Sequence, residues 1–328
     1  MTNKYKIGIV FAGQGSQYTG MGKSLYENSP AAKAILDLAG EKIINDCFYK
    51  TKEELRDTLI TQPAVYTVDL AAYAALLEAL GENSNAEIIA LAGFSLGEYA
   101  ALCAAGVIGS FDLGLEIIRK RSRLMKDAGK HADGSPRGKM AAALGNKEHA
   151  LELVEQARGD DVLEAVNFNS PTQTVVAGDE EAIERFSELA AADRSLGLKV
   201  KPLSVSSAFH SPIMEPAAIG LGEALKPIKL NPPNTKVYLN VSGEELLKTI
   251  GGSFDEEKLK DIMQRQAMSP VLWQTTIENM IRDGVNTIVE VGPGKTLSGL
   301  AKKTSADLLV FHVQDKETLD EAVLSLQQ

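Results

Sequence analysis

The stretch that most constrains this chain is Gly93-Phe94-Ser95-Leu96-Gly97-Glu98. The run before it, Glu87-Ile-Ile-Ala-Leu-Ala92, has the composition of a short strand, and Tyr99-Ala-Ala-Leu-Cys-Ala-Ala105 after it reads as helix. A single serine between two glycines at such a junction predicts a sharp strand–turn–helix elbow. Gly93 and Gly97 lack the Cβ atoms that would collide where the two elements cross. Ser95 at the apex then carries its Oγ into open space. The first N–H groups of the helix, with the helix dipole behind them, face any negative charge that develops there. In a chain with 28 glycines the spacing alone arises easily by chance, so its meaning depends on the rest of the sequence.

The 328 residues suffice for a large core and for more than one domain. A net charge of −10 with no dominant basic face argues against a nucleic-acid binder. Cys47 and Cys103 have no zinc-site spacing and cannot build a disulfide framework. The start, Met-Thr-Asn-Lys-Tyr-Lys, has no apolar leader core, and no stretch reaches 18 apolar residues. These features predict a cytoplasmic protein without a membrane partner.

Residues 5–11 read as a buried first strand running into Gly13-Gln14-Gly15-Ser16-Gln17. A dinucleotide-binding turn is disfavoured, because Tyr18 occupies the last glycine position and the acid of a second strand is missing. Ser29 and Pro30 open a helix whose apolar stripe continues to Ile44. Thr51-Lys-Glu-Glu54 is a capping box that predicts another helix, and Thr61-Gln-Pro-Ala64 breaks the chain before a long helix to about Leu80. A helix from Asp112 to about Asp127 carries Arg119, Lys120, Arg121 and Arg123, most of which form a solvated face.

The polar loop 128–139 leads to a second domain. There the pattern is strand 140–145, helix 147–158, two short strands with Asn167-Phe-Asn-Ser-Pro171 between them, helix 180–192 and strand 198–205. That βαββαβ order predicts a ferredoxin-like unit. The chain then returns to the larger domain: a helix from near Pro212, strand 236–241, helices around 255–266 and 270–283, strand 287–291, a helix from near Lys295, and a last strand and helix within 308–327.

Activation of a serine hydroxyl needs a base within hydrogen-bond reach, and histidine is the usual one. Of four histidines, His131 lies in the polar loop, His149 on the exposed face of a helix and His312 near the end of a strand. His210 stands in a small-residue turn, Ser206-Ser-Ala-Phe-His-Ser-Pro212, between strand and helix. Most turn histidines are surface residues, so the residues alone make His210 the leading candidate of the four without assigning it as a base.

Gly13-Gln-Gly-Ser-Gln17, Thr61-Gln-Pro-Ala64, Gly93-Phe-Ser-Leu-Gly-Glu98, Asn167-Phe-Asn-Ser-Pro171, Phe209-His210 and Glu290-Val-Gly-Pro-Gly294 occur in this order. Together they resemble the malonyl-CoA:acyl-carrier-protein transacylase family over nearly the whole chain. The resemblance implies an α/β fold, with an α/β-hydrolase-like large domain (1–130 and 204–328) and an inserted ferredoxin-like small domain (131–203). It implies that Ser95 is the nucleophile and that His210 is the base, oriented by a backbone carbonyl instead of an acid. Gln14 and Leu96 would supply the oxyanion-hole N–H groups. Arg121 would hold the substrate carboxylate, with Gln266 and Asn169 in the same cleft.

The implied reaction moves malonyl from malonyl-CoA to the phosphopantetheine thiol of acyl carrier protein, for fatty acid synthesis, through a malonyl-serine. It needs no metal and no bound cofactor, and a monomer is expected. Rival readings are a discrete acyltransferase of a polyketide assembly line, an acyl-thioester hydrolase and a non-catalytic carrier-protein-binding module. Two departures stand out: Phe94 where the family usually has histidine, and the length of the loop 128–139. Lys199, Lys201, Lys302 and Lys303 are candidates for a basic docking patch.

Overall fold

The computed structural model describes residues 5–81, 86–205 and 207–327; the first four residues and Ser206 of the His210 turn lie outside them. Two separate sheets organise the chain. The larger contains β1 (Tyr5–Phe11), β2 (Ala86–Gly93), β7 (Lys236–Tyr238), β8 (Thr287–Val291) and β9 (Leu309–Val313) in the order β7-β2-β1-β8-β9. Every pairing in it is parallel. A parallel sheet needs helices on both faces, and alternation along β1 supplies both. Ile7, Ile9 and Phe11 enter one hydrophobic cluster, and Val10 enters the other with Trp273, Ile277 and Met280.

The smaller sheet contains β3 (Lys139–Leu144), β4 (Leu163–Ser170), β5 (Gln173–Gly178) and β6 (Lys199–Pro202), antiparallel in the order β4-β5-β3-β6. Helices Lys147–Arg158 and Glu180–Ala192 cover one face, where Ala141, Ala143 and Val176 meet Leu153 and Phe186. The opposite face, with Met140, Ala142 and Val175, packs on Met125, Phe209 and Met214 from the rest of the chain. The whole is a mixed α/β structure with one parallel and one antiparallel sheet.

Helix Thr58–Leu80 is the one helix among the described residues that is long and apolar enough to cross a membrane. It is a core helix here, with Val65, Tyr66, Val68 and Ala72 at zero exposure. Its start differs from expectation. Pro63 lies inside the helix, because Asp57 caps the first turn by accepting from Leu59 N–H well upstream. The same Asp57 ends the preceding segment in an extended conformation, so the Thr51–Glu54 capping box forms but opens only a 3₁₀ turn, Glu54–Arg56. The stripe from Pro30 to Ile44 is likewise two helices, Pro30–Ala39 and Glu41–Tyr49, divided at Gly40, whose φ of 89° no continuing helix permits.

Asn167, Asn169 and Ser170 do not lie between two strands; they belong to β4 itself. The end of β4 is bulged against β5 and exchanges hydrogen bonds with Val271, which ties it across to the larger body. The remaining departures are of length. Strands end earlier at Pro202 and Tyr238, and a 3₁₀ turn, Pro212–Met214, precedes helix Glu215–Leu225.

Candidate active site

A cavity of about 450 Å³ opens between the two sheets, with Ser95, Arg121, Asn169, His210 and Gln14 in its wall. Ser95 sits at the elbow between β2 and helix Leu96–Ala104 with φ 52° and ψ −98°. The two glycines earn the crossing. A Cβ on Gly93 would lie 2.0 Å from the Gly97 carbonyl carbon, and one on Gly97 would lie 2.3 Å from the Phe11 carbonyl oxygen. Positive φ at a non-glycine residue costs on the order of 1–3 kcal/mol and persists only where surroundings enforce it. Asn240, just past β7, enforces it here. Its Oδ1 accepts from Ser95 N–H at 2.7 Å, its Nδ2 donates to Gly93 O at 2.7 Å, and its own N–H donates to the Glu98 carboxylate.

His210 is the second non-glycine residue with positive φ, at 64°, among the described residues. Its Nε2 stands 2.7 Å from Ser95 Oγ, and its Nδ1 faces the carbonyl oxygens of Gln266 and Ser269 at 3.0 and 3.1 Å. Carbonyl oxygens only accept, so Nδ1 carries the proton and Nε2 offers its lone pair to the serine hydroxyl. Burial, aided by the nearby Arg121 charge, pushes the imidazole down to about 4 against the opposing pull of the two carbonyls. His210 therefore presents a neutral imidazole to Ser95 Oγ at physiological pH.

Arg121 is the only one of the four clustered cations on helix Phe111–Ala128 that is buried, at 1 % exposure; Arg119, Lys120 and Arg123 face outward. Its stripe is Gly114, Ile117, Ile118 and Met125, the core face of the helix. The guanidinium donates to Gln62 Oε1 at 2.8 Å, Ser95 Oγ at 3.1 Å and Gln266 Oε1 at 3.2 Å, and it lies 5.3 Å from the centre of the Tyr99 ring. Every direct acceptor is neutral. Its nearest carboxyl, Glu98, is pushed up to about 7 by burial, against the Asn240 N–H, the Arg121 charge and the Gln266 amide. A buried cation held by amide oxygens is a ready receptor for a ligand anion.

The remaining expected residues converge as well. Gln14 follows β1 and accepts from Thr58 Oγ1 at 2.8 Å through its side chain, and Leu96 opens the elbow helix. Neither backbone N–H, of Gln14 or of Leu96, meets a hydrogen-bond acceptor among the described residues. Gln266 closes helix Glu256–Gln266 and donates from Nε2 to Ser95 O at 2.8 Å. Asn169 projects a buried Oδ1 without a protein partner.

Phe94 packs edge-on against Trp273, ring centres 5.4 Å apart at 66°, and covers Gly13. The long loop 128–139 is closed by Arg137 N–H donating to Gly129 O, and Ser207 Oγ, three residues before His210, donates to Arg137 O at 2.8 Å. Of the other histidines, His131 is exposed and His312 half-buried. His149 is not on an open helix face, since its Nδ1 lies 2.8 Å from Leu196 O. None of the three lines the cavity.

Sequence reasoning gave no role to Gln62, Glu98 or Asn240. Gln62 and Glu98 lie inside recognised motifs, so their position was a usable signal; Asn240 has no local signature.

The family described as acyl transferase domain matches residues 9–323. The malonyl CoA-acyl carrier protein transacylase of Bacillus subtilis (strain 168) is 37% identical over 330 residues, covering 98% of both chains. That of Haemophilus influenzae (strain ATCC 51907 / DSM 11121 / KW20 / Rd) is 36% identical over 318 residues, covering 94% of this chain and 96% of the relative. Among solved structures, the malonyl CoA-acyl carrier protein transacylase of Clostridium perfringens superposes with a TM-score of 0.87 at 34% identity, over 98% of this chain and 97% of that one. A type II PKS acyl-carrier protein in complex with its malonyl-transacylase gives 0.88 at 31% identity, over 98% and 99%.

Proposed function

The chain belongs to the malonyl-CoA:acyl-carrier-protein transacylase family of acyl transferase domains, and we propose that it moves malonyl from malonyl-CoA to acyl carrier protein by a ping-pong route through malonyl-Ser95. The observation that carries this reading is the convergence of His210 Nε2 and Arg121 Nη2 on one hydroxyl, Ser95 Oγ, at 2.7 and 3.1 Å. Ser95 Oγ attacks the thioester carbonyl while His210 Nε2 takes its proton. The tetrahedral oxyanion receives the N–H groups of Gln14 and Leu96, each worth about 10²–10³ in rate. Collapse expels the CoA thiolate, which the imidazolium protonates. The carrier's phosphopantetheine thiol then gives its proton to His210 and attacks the malonyl carbonyl; collapse breaks the ester to Ser95, the imidazolium returns the proton to Ser95 Oγ, and malonyl remains on sulfur.

Arg121 selects the acyl group. When malonyl enters, its free carboxylate takes over the guanidinium from Ser95 and Gln266 as a bidentate pair, a geometry that lysine does not match. An acetyl group leaves the buried cation with neutral acceptors only. The fold supports the finer architectural reading too. The strand order β4-β5-β3-β6 with both helices on one face supports reading 131–203 as a ferredoxin-like unit, inserted in an α/β-hydrolase-like body that we assign to 1–130 and 204–328. We assign the transfer to fatty acid synthesis; the likeness to a type II PKS transacylase makes a polyketide line the second reading.

Intact-protein mass tests the route. The protein should gain one malonyl mass from malonyl-CoA and lose it to holo acyl carrier protein, and Ser95→Ala should gain nothing. Loading that persists in Ser95→Ala overturns the nucleophile, and release of free malonate instead of transfer makes the protein a hydrolase. Comparing fatty-acid and polyketide carriers as acceptors decides between the two pathways.

A further inference from the structure

Charge around the cavity is uneven. Its acidic and basic lining residues are Lys52, Arg56, Arg121, His210 and Glu290. Arg121, His210 and Glu290 are buried, and Glu290 caps helix Thr296–Thr304 by accepting from Leu297 and Ser298 N–H. The two exposed charges on the cavity wall are therefore both positive, in a chain of net charge −10.

Neither Lys52 nor Arg56 forms an ion pair or side-chain hydrogen bond among the described residues. Their acidic neighbours are engaged elsewhere: Glu54 with Lys50 and the Thr51 cap, Asp57 with Lys126. Glu53 is exposed but does not line the cavity. The turn that carries the two cations is held in place. Leu55 between them is buried at 1 % exposure, and its carbonyl accepts from Gln17 Nε2 at 3.0 Å. Gln17 Oε1 in turn accepts from Gly15 N–H at 2.7 Å, and Thr58 just beyond the turn holds the Gln14 side chain. The cations thus stand at the rim of the cavity on a turn anchored to the Gln14 loop that faces Ser95.

We propose that Lys52 and Arg56 form a subsite for the 4′-phosphate of the phosphopantetheine arm, whether that arm belongs to a CoA thioester or to a carrier protein. The inference rests on the reading of Ser95 as the acylated residue. An arm with its thioester at Ser95 must leave through the cavity mouth, and its phosphate is the first charge met along it. The shared chemistry is an anionic phosphoryl group on a flexible amide tether, half of a diphosphate in CoA and a phosphodiester on the carrier protein. Arg56 offers it a planar fork and Lys52 a point charge. Both groups remain solvated, so they set affinity and capture of the anion and leave the bond-making step alone.

The test compares three donors in single-turnover acylation, with the half-saturating donor concentration taken as KM and the limiting rate as kcat: malonyl-CoA, malonyl-4′-phosphopantetheine and malonyl-pantetheine, which has no phosphate. In the wild type the two phosphorylated donors should show a KM about tenfold below that of malonyl-pantetheine. In Lys52→Ala/Arg56→Ala their KM should rise about tenfold with kcat within about twofold, while malonyl-pantetheine is processed as before. That unchanged arm also shows that the variant is folded and competent.

With holo carrier protein as acceptor, a KM rise in the variant places the subsite on both arms; an effect confined to free thioesters places it on the donor alone. The proposal is overturned if malonyl-pantetheine suffers equally, if no donor responds, or if malonyl-CoA responds and malonyl-4′-phosphopantetheine does not, since the cations would then read the adenosine end. If no donor acylates the wild-type protein, the Ser95 reading itself has failed.

Discussion

Replacing Arg121 by alanine separates a specificity residue from a structural one. The guanidinium is buried and donates to three neutral oxygens, one of them Ser95 Oγ. A charge-assisted hydrogen bond is worth about 1.5–3 kcal/mol, and a malonyl carboxylate would accept two. Loss of the pair should lower kcat/KM for malonyl-CoA by roughly 10²-fold or more. Acetyl transfer should hold or rise, because the variant no longer leaves a buried cation unpaired beside a neutral acyl group. The structure adds an internal check. Arg121 is the second cause, after burial, that holds the His210 imidazole down. Removing it should shift the acid limb of acetyl transfer toward higher pH. The assay is single-turnover acylation with both donors across pH, with Arg119→Ala and Arg123→Ala, both exposed, as controls. If malonyl and acetyl transfer fall together and the acid limb stays in place, Arg121 is a packing residue and the specificity argument is wrong.

With its folded value lowered to about 4 from 6.5, His210 should keep the wild-type acylation rate flat from neutral pH down and lose it only as pH falls through about 4; a limb near 6.5 in the rate profile contradicts its burial. The same shift makes the group's contribution to stability complete above 6.5 and progressively lost toward about 4, which acid titration of the fold should register. Phe94→His should leave transfer within about tenfold, ~1.4 kcal/mol of barrier, since the ring packs on Trp273 and does not touch the reacting atoms; a larger loss in kcat shows that the cleft depends on the ring. Asn240→Ala leaves the Ser95 N–H without its acceptor and the elbow without its clamp, so kcat should drop at least tenfold with little change in KM; unaltered kcat would show the elbow to be self-supporting.

What the sequence disclosed about this site was what is local in it. Ser95 and its two glycines form one turn, and the clash distances at Gly93 and Gly97 confirm why no larger residue stands there. Arg121 was singled out only by the family resemblance, and the structure sets it on the buried stripe of Gly114, Ile117, Ile118 and Met125. Asn240 was not legible, because its contacts to Gly93 and Ser95 join parts of the chain brought together only by the β2–β7 pairing. Element borders failed where one residue serves two elements: Asp57 both ends a 3₁₀ turn and caps a long helix, which carries that helix past the Pro63 signal. The Asn167–Ser170 motif reads as a turn from its composition but is held extended by Val271, a partner a hundred residues away in the larger body.

Among the described residues His210 Nδ1 meets carbonyl oxygens and no acid, which is compatible with a guanidinium as close as Arg121. A carboxylate at Nδ1 would raise the basicity of the imidazole, but it would also stand in the same buried volume as a guanidinium whose direct acceptors are all neutral. The two would pair, and the substrate carboxylate would then have to displace a protein one at the full desolvation cost of both ions. Two carbonyl oxygens fix the tautomer and the ring orientation without that competition. Glu98, the one carboxyl close enough to act on Arg121 electrostatically, is kept from direct pairing by Asn240 N–H and Gln266 Nε2, and its affinity for a proton is raised by burial. The strain at Ser95 and His210, on the order of 1–3 kcal/mol each, is what this arrangement costs, and the Asn240 clamp with the Ala267, Gln266 and Ser269 carbonyls is what offsets it. Serine, base and cation are thereby set within 3.1 Å of one oxygen before any substrate arrives, and the cation remains free for an anion from outside.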